Sequence, residues 1–273
     1  MTIKPKTDAA GAPALLRGDI DGIALISLNR PAKRNTLSDA MLDALHTEFD
    51  AVAVDRNVRA VILSHNGPAF CAGHDMKEMT NRRSDPDRGR AYFKELMERC
   101  SALMMKIQQL PQPVIAAVEG AATAAGCQLV ATCDLAVASE TARFSTPGVH
   151  IGLFCSTPMV ALSRNVSNKH AMEMLLTGDM VRAVDAHRIG LINRVVAAGK
   201  ASEVALDWAR EIASKSMLTV KLGKQAFYRQ REFNLADAYK LTIDVMVENM
   251  MARDAEEGLG AFIDKRDPSW EDR

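Results

Sequence analysis

Two stretches of small residues, at positions 69–75 and 119–128, contain the residue types in this chain that could do chemistry. Each follows a short apolar run and leads into a helical pattern, so each presents free backbone N–H groups at the point where a strand ends and a helix begins. Such groups stabilise negative charge, and small side chains let a ligand carbonyl approach the main chain. Two such turns brought together would form an oxyanion hole, which suits the enolate chemistry of esters and thioesters.

An alternation of strands and helices must position these turns. Ser38 predicts the cap of a helix whose apolar residues recur at spacings of three and four, and short apolar runs predict the strands. The apolar face of that helix is Met41, Leu42, Leu45, Phe49 and Val52. The predicted strands are 15–17, 23–28, 58–63, 114–118 and 134–138, and the helices between them include about 88–108 and 127–132. This alternation, up to about residue 196, predicts an α/β fold whose first two strands form a hairpin.

From residue 201 onward the pattern becomes helical, with methionine-rich apolar positions. Helices are predicted at about 204–212, 218–227 and 236–251, with a last short element at 258–262. These helices either close the core of one subunit or form an interface with another. We therefore divide the chain into a flexible lead-in at 1–13, a core at 14–200 and a helical region at 201–273.

The composition of this 273-residue chain is that of a globular protein with no charge bias. Lysine and arginine number 34, and so do aspartate and glutamate, so no global field draws the protein to nucleic acid or to an anionic membrane. No apolar stretch reaches the roughly 18 residues that a membrane span needs. Nucleic acid and membrane are therefore not expected partners.

The five cysteines are odd in number and lack C-x-x-C spacing. They are expected to be buried thiols in a reducing compartment rather than a disulfide framework. The first residues carry no apolar signal core and match an arginine-rich transit peptide poorly. These features predict a cytoplasmic location.

Metal and cofactor chemistry is not predicted. The chain contains no H-E-x-x-H motif, no Cys/His cluster with zinc spacing and no glycine-rich phosphate loop ending in Lys-Ser/Thr. The glycine at Gly126 does not continue into a dinucleotide fingerprint. We expect neither a metal site nor a bound cofactor.

Several motifs, in order along the chain, resemble those of the crotonase family, also called the enoyl-CoA hydratase/isomerase family. Their number and order make the resemblance far more specific than a single glycine pattern. It extends from about Ile23 to the C-terminus. The motifs are Asn29-Arg30-Pro31, Arg34-Asn35-Thr36-Leu37, Ala69-Phe70-Cys71-Ala72-Gly73-His74-Asp75-Met76-Lys77-Glu78-Met79, Gly126-Cys127-Gln128-Leu129 and Cys133-Asp134-Leu135-Ala136.

The resemblance implies a crotonase-like spiral of ββα units with a helical C-terminal region, assembled as a homotrimer or a dimer of trimers. By position, the main-chain N–H groups of His74 and Ala125 would hold a thioester oxygen. The family usually has glycine where this chain has Ala125, and the added methyl is tolerable only if the local φ is negative.

The resemblance also implies an acyl-CoA ligand. Its adenine and pantetheine would lie along the first turn, between Ala72 and Met76. Its phosphates would lie near Lys33, Arg34 and Lys77, although exposed basic residues are commonly just solvated surface. The shared Gly-x-Asp pattern indicates that Asp75 caps or orients this turn.

The acidic residues of the family are missing from this chain. Its hydratases carry two glutamates where this chain has Gln128 and Gly148, and some of its isomerases carry an acid where this chain has Ser156. Adding water across a double bond requires a base and an acid, each typically contributing about 10²–10⁴-fold. Neither Gln128 nor Gly148 can transfer a proton, although the Gln128 amide can orient a water or a carbonyl.

Replacement proton carriers within reach are His74, His150 and Cys155, with Asp75 as a further acid. Each has an alternative interpretation as a packing, pocket-lining or capping residue. His150 is expected to be half-buried, and Cys155 lies in an apolar run. Both interpretations stay open at this point.

The sequence thus predicts an acyl-CoA-binding protein of the hydratase/isomerase type with weak or absent ordinary hydratase activity. One alternative is a non-catalytic CoA-thioester binder or scaffold. Another is a decarboxylase or thioesterase that relies on the oxyanion hole alone.

Overall fold

The structure, a computed structural model, describes residues 12–273; most of the predicted lead-in, at 1–11, lies outside the described residues. The three-part division of the chain stays a prediction. The strands are β1 (Leu15–Ile20), β2 (Ile23–Leu28), β3 (Ala60–His65), β4 (Ala69–Cys71), β5 (Val114–Val118), β6 (Ala121–Thr123), β7 (Leu135–Ser139), β8 (Arg143–Ser145), β9 (Val181–Arg182) and β10 (Arg194–Val196).

Helices connect these strands and then make up the whole C-terminal part. They are α1 (Asp39–Val54), α2 (Met76–Asn81), α3 (Arg90–Gln109), α4 (Ala125–Thr132), α5 (Pro158–Leu162), α6 (Asn168–Thr177), α7 (Ala183–Arg188), α8 (Ala201–Ala213), α9 (Met217–Gln230), α10 (Leu235–Met250) and α11 (Arg253–Asp264). The predicted α/β alternation followed by a helical region is confirmed.

Two sheets share the strands in an alternating way. The larger has six strands in the order β1-β2-β3-β5-β7-β10, antiparallel only between β1 and β2, and the smaller has four in the order β4-β6-β8-β9. Each of β3, β5 and β7 is followed at once by a short strand of the smaller sheet. The chain therefore advances by pairs of strands, which sequence periodicity did not predict because β4, β6 and β8 have three residues each.

Helix α1 forms where capping and periodicity predicted it. Ser38 accepts a hydrogen bond from the Met41 N–H, satisfying one of the free donors of the first turn. The five apolar residues predicted to face the core are all buried. The opening hairpin is also confirmed, with Asp21 and Gly22 at positive φ in its two-residue turn.

The larger sheet is covered on both faces, because alternate residues of its strands point to opposite sides. On β3, Val61 and Leu63 belong to the main core with α1 and α3. Ala60 and Ile62 pack instead with Ala205 of α8 and its neighbours. Helix α8 thus closes the face that α1 leaves open.

The last helices are only partly packed on the core. Helix α9 is attached by the ammonium of Lys224, which lies 2.7 Å from the Asp134 carboxylate at the start of β7. Helix α10 packs against α9 but has no buried residue. Much of the methionine-rich surface predicted here is therefore exposed within one subunit.

All five cysteines are free and buried, as predicted. Among the helices of residues 12–273, none is long and apolar enough to cross a membrane.

Candidate functional site

The first predicted turn begins at β4 and runs over Gly73 into α2. Gly73 has φ +89°, a conformation that favours glycine. Its carbonyl accepts a hydrogen bond from the Leu37 N–H at 2.8 Å, and the Ala72 N–H donates to the Arg34 carbonyl at 3.1 Å. The segment before α1 therefore supports this turn from one side, and neither of these bonds uses the His74 N–H.

Asp75 ends the first turn as the N-cap of α2. Its Oδ1 accepts the N–H of Lys77 at 2.9 Å and that of Glu78 at 3.2 Å. The predicted capping role is confirmed, and it sets the direction in which the chain leaves the turn.

The second turn lies directly against the first. A Cβ added to Gly126 would overlap the Cys71 carbonyl, and one added to Gly120 would overlap the Pro68 carbonyl. Strand β6 also pairs in parallel with β4. The absence of side chains at these two glycines is what allows the backbones of the turns to touch.

The two turns meet at Gly73 and Ala125. A Cβ added to Gly73 would lie 2.9 Å from the Cβ of Ala124 and 3.4 Å from the amide nitrogen of Ala125. Ala125 is the first residue of α4, so its N–H has no acceptor within the helix. The structure thus brings together the two segments whose amides the sequence singled out, and Ala125 is not among the residues with positive φ.

Ala124 is the residue of this site that sequence reasoning missed. It is a non-glycine residue with φ 51° and ψ −119°. The sequence indicated possible backbone strain at Ala125, whereas the structure has the positive φ at the preceding residue, Ala124. The run of small residues around it indicated a turn but not which residue would adopt the unusual conformation.

The imidazole of His74 is buried, with 8% of the residue exposed. Its Nδ1 lies 3.4 Å from the Leu37 carbonyl oxygen, and its Nε2 has no hydrogen-bond partner among the described residues. Burial lowers the pKa of this histidine. A neutral ring that donates through Nδ1 would keep its Nε2 lone pair free to accept a proton.

Gln128 lies one helical turn after Ala125 and is 4% exposed. Its Oε1 is buried and has no partner within the part of the chain that the structure describes. A buried amide oxygen without a donor is unfavourable unless water or a ligand satisfies it. This side chain can bind or orient, and it cannot supply the proton that a glutamate would.

Gly148 is buried in the 3-10 turn Pro147–Ile151. A Cβ added here would lie 2.8 Å from the Leu153 carbonyl oxygen and 3.0 Å from the Cys155 Sγ. The thiol thus fills the space into which a side chain at position 148 would extend. Burial raises the pKa of Cys155, which keeps it a thiol rather than a thiolate.

Two other candidates lie at the surface. His150 is exposed rather than half-buried, and it packs over Gly178, whose added Cβ would lie 2.8 Å from the imidazole Nε2. Ser156 is exposed, with its hydroxyl 3.4 Å from the Phe154 carbonyl.

The three basic candidates are exposed around the first turn. Lys33 and Arg34 lie on the segment that supports it, and Lys77 is in the first turn of α2. None of the three forms an ion pair with another described residue. Ala72 is half-buried and Met76 is exposed, so the turn presents an apolar edge next to positive charge.

No group of three or more His, Cys, Asp or Glu residues within residues 12–273 could hold a metal ion.

Comparisons with known proteins point to one family. A family model described as enoyl-CoA hydratase/isomerase matches residues 19–273. The chain is 48% identical over 251 residues to the human enoyl-CoA hydratase domain-containing protein 3, mitochondrial, covering 92% of this chain and 81% of that protein. It is 33% identical over 258 residues to the enoyl-CoA hydratase, mitochondrial, of Pongo abelii, and the match covers 94% of this chain and 86% of that protein.

Solved structures agree with this. The crystal structure of an enoyl-CoA hydratase from Mycobacterium smegmatis is 50% identical, with TM-score 0.91, covering 95% of this chain and 99% of that one. The structure of human enoyl coenzyme A hydratase domain-containing protein 3 is 47% identical, with TM-score 0.89, covering 94% and 100%. The word mitochondrial in the relatives' names describes those proteins, and the cytoplasmic location expected for this chain stays a prediction.

Proposed function

The chain belongs to the enoyl-CoA hydratase/isomerase family and has the crotonase fold, and we propose that it binds an acyl-CoA thioester through a backbone oxyanion hole. The amide N–H groups of His74 and Ala125 would hold the carbonyl oxygen. The observation that carries this proposal is the contact between the two turns, where a Cβ on Gly73 would lie only 3.4 Å from the Ala125 nitrogen. Backbone donors held so rigidly stabilise a developing oxyanion without reorganising.

The CoA portion would lie along the first turn. Ala72 and Met76 offer the pantetheine an apolar edge, and Lys33, Arg34 and Lys77 surround that edge with exposed cationic side chains. Charged groups of this kind bind phosphates through charge-assisted hydrogen bonds. The ligand itself is the only small molecule the proposal requires, with no separate cofactor.

Ordinary hydration of an enoyl-CoA is proposed to be weak or absent. Gln128 and Gly148 stand where hydratases of the family have glutamates, and neither can move a proton. Gln128 instead offers a buried carbonyl oxygen in need of a donor, which suits a water molecule or an N–H or O–H group of the ligand.

Calorimetric titration with crotonyl-CoA tests binding, and ultraviolet absorbance of the enoyl group tests hydration. We expect binding that weakens several-fold in Lys77→Ala and is unchanged in Lys221→Ala, an exposed lysine of α9 used as the matched control. No binding at millimolar ligand would refute the CoA site. Turnover within about tenfold of an ordinary hydratase would refute only the weak catalysis.

A second candidate function is a non-catalytic thioester binder, which the same two non-acidic positions favour. A decarboxylase or thioesterase that uses the oxyanion hole alone is the third. A screen of malonyl-type, enoyl and saturated acyl-CoA thioesters separates them. Any turnover that is lost in His74→Ala or Cys155→Ala would contradict the non-catalytic function.

Self-association is part of the proposal. Helix α10 has no buried residue, and its large apolar side chains Tyr239, Ile243 and Met246 are each about 60% exposed. Apolar surface of this extent favours burial against a second subunit. A homotrimer or a dimer of trimers would provide that cover.

A further inference from the structure

We propose that Ala124 is a positioning residue: its neighbours hold its backbone in a strained conformation, and this conformation fixes the direction of the Ala125 N–H in the carbonyl site. This inference rests on the proposed function, because it concerns how the same site is held rather than what it binds. It assigns a role to a residue with no reactive group.

The conformation of Ala124 is one that alanine rarely adopts. Its φ of 51° is in the range where the Cβ crowds the backbone, and its ψ of −119° takes it away from the ordinary left-handed region. By contrast, Arg34 and Lys265, which also have positive φ, have ψ values of 36° and 44° and lie in that region. The angles of Ala124 match the first corner of a type II′ turn, where glycine is preferred.

Three contacts hold Ala124 in place. Its N–H donates to the Ser145 carbonyl at the end of β8 at 2.9 Å, and its own carbonyl accepts the Gln128 N–H at 3.0 Å. Its methyl group faces Gly73, where an added Cβ would lie 2.9 Å away. A strained residue persists only when its surroundings determine its conformation in this way.

The ψ angle of Ala124 orients the peptide plane that carries the Ala125 N–H. Rotation about this bond would swing that donor away from its present direction. In alanine the neighbouring backbone wells are few, whereas glycine would populate several of them. The contacts that hold Ala124 in its strained conformation therefore keep one half of the proposed oxyanion hole preorganised.

The methyl group of Ala124 also sets the distance between the two turns. It fills the space above Gly73, so the first turn cannot move closer and the pair of amides keeps its spacing. Gly73 must remain without a side chain for the same reason, since it combines φ +89° with this contact. The Ala124 methyl group thus makes the contact, and the missing side chain of Gly73 leaves room for it.

The test is Ala124→Gly, measured against a pair of ligands that differ only at the carbonyl. Crotonyl-CoA has the thioester oxygen, and the S-butenyl-CoA thioether lacks it, so the ratio of their dissociation constants reports the oxyanion contact alone. We expect the thioester preference to fall by about three- to tenfold, the worth of roughly one hydrogen bond. The melting temperature should rise by about 2–4 °C as the strain is released.

Ala131→Gly is the matched control, because Ala131 is a buried residue of α4, the helix that Ala124 precedes, and does not have positive φ. It should lower the melting temperature and leave the thioester preference unchanged. An unchanged preference in Ala124→Gly, or a lower melting temperature, would overturn the positioning role. A wild-type protein that binds both ligands equally would instead refute the carbonyl contact in the proposed function.

Discussion

At the scale of single residues, His74 contributes two groups that act independently. Its amide N–H belongs to the proposed oxyanion hole, while its ring is buried against the Leu37 carbonyl. Burial favours the neutral ring and lowers the pKa of His74, although the Leu37 carbonyl and the nearby Asp39 carboxylate act in the opposite direction. Its protonation state is therefore linked to folding, and pH becomes a probe of the site.

Acidification should destabilise the protein through His74. Burial lowers the folded-state pKa below the ordinary 6.5, so its contribution to stability is complete above pH 6.5 and is lost as the pH falls towards the folded pKa. His65, whose pKa is also lowered by burial, adds to the effect. For each histidine with a lowered pKa, the free energy of unfolding falls by up to about 1.4 kcal/mol per pH unit in this range.

Urea denaturation at pH 7.5 and 5.5 measures this. His74→Gln should narrow the difference in unfolding free energy between the two pH values. His170, whose side chain is 39% exposed, serves as control, and His170→Gln should keep the wild-type difference. Equal losses in wild type and His74→Gln would contradict the assignment.

Gly148 should not accept a side chain without loss of stability. Because an added Cβ would lie only 2.8 Å from the Leu153 carbonyl oxygen and 3.0 Å from the Cys155 Sγ, Gly148→Ala should destabilise by roughly 1–3 kcal/mol. Gly223 on α9 has no atom within 4 Å of its added Cβ, so Gly223→Ala should stabilise by about 0.5–1 kcal/mol. Chemical denaturation checks both signs, and stabilisation by Gly148→Ala would contradict the close packing.

At the scale of elements, the attachment of α9 to the sheet depends on one buried ion pair. Lys224 is 6% exposed at its side chain and also donates to the carbonyls of Ile107 and Gln112 at 2.9 Å. Asp134 accepts hydrogen bonds from the Val114 N–H and the Tyr228 hydroxyl. Every charge in this cluster thus has partners, which is the condition for burying an ion pair.

Removing one charge of this pair should lower the stability of the protein far more than removing both charges. Asp134→Ala leaves the Lys224 ammonium buried without a carboxylate and should destabilise by about 3–5 kcal/mol. Adding Lys224→Met to it should recover part of that loss. A double-mutant cycle by denaturation measures the coupling energy, and additive effects would show that the pair does not act as a unit.

At the scale of the whole molecule, one subunit leaves an apolar surface uncovered. Besides the exposed apolar side chains on α10, Phe262 and Ile263 on α11 are exposed. The chain has no net formal charge that would keep subunits apart. The C-terminal helices therefore expose apolar surface that a second subunit could cover, and no net charge opposes that association.

Analytical ultracentrifugation should find trimers or hexamers at micromolar concentration. Ile243→Asp places a charge on the proposed interface and should shift the protein towards monomer with unchanged helical content. Asp244→Asn, at the neighbouring exposed position, should leave the assembly intact. A monomeric wild-type protein would contradict the proposed assembly.

The sequence by itself determined the elements whose signals are local. Helix α1 has its cap and its apolar face within 17 residues, β5 is a continuous apolar run, and the helices after residue 201 repeat at helical spacing. The motifs around both turns also identified the family. Each of these signals lies in neighbouring residues, so no distant contact is needed to interpret it.

Only the tertiary structure decided how those elements form a site. Strands of three residues such as β4 are too short to show periodicity, and β4 forms because it pairs with β6, whose residues lie 51 to 52 positions further along the chain. The same holds for the strain at Ala124 and for the Lys224–Asp134 pair. In each, one partner meets another that is distant in the chain, and the packing of backbone against backbone determines the geometry.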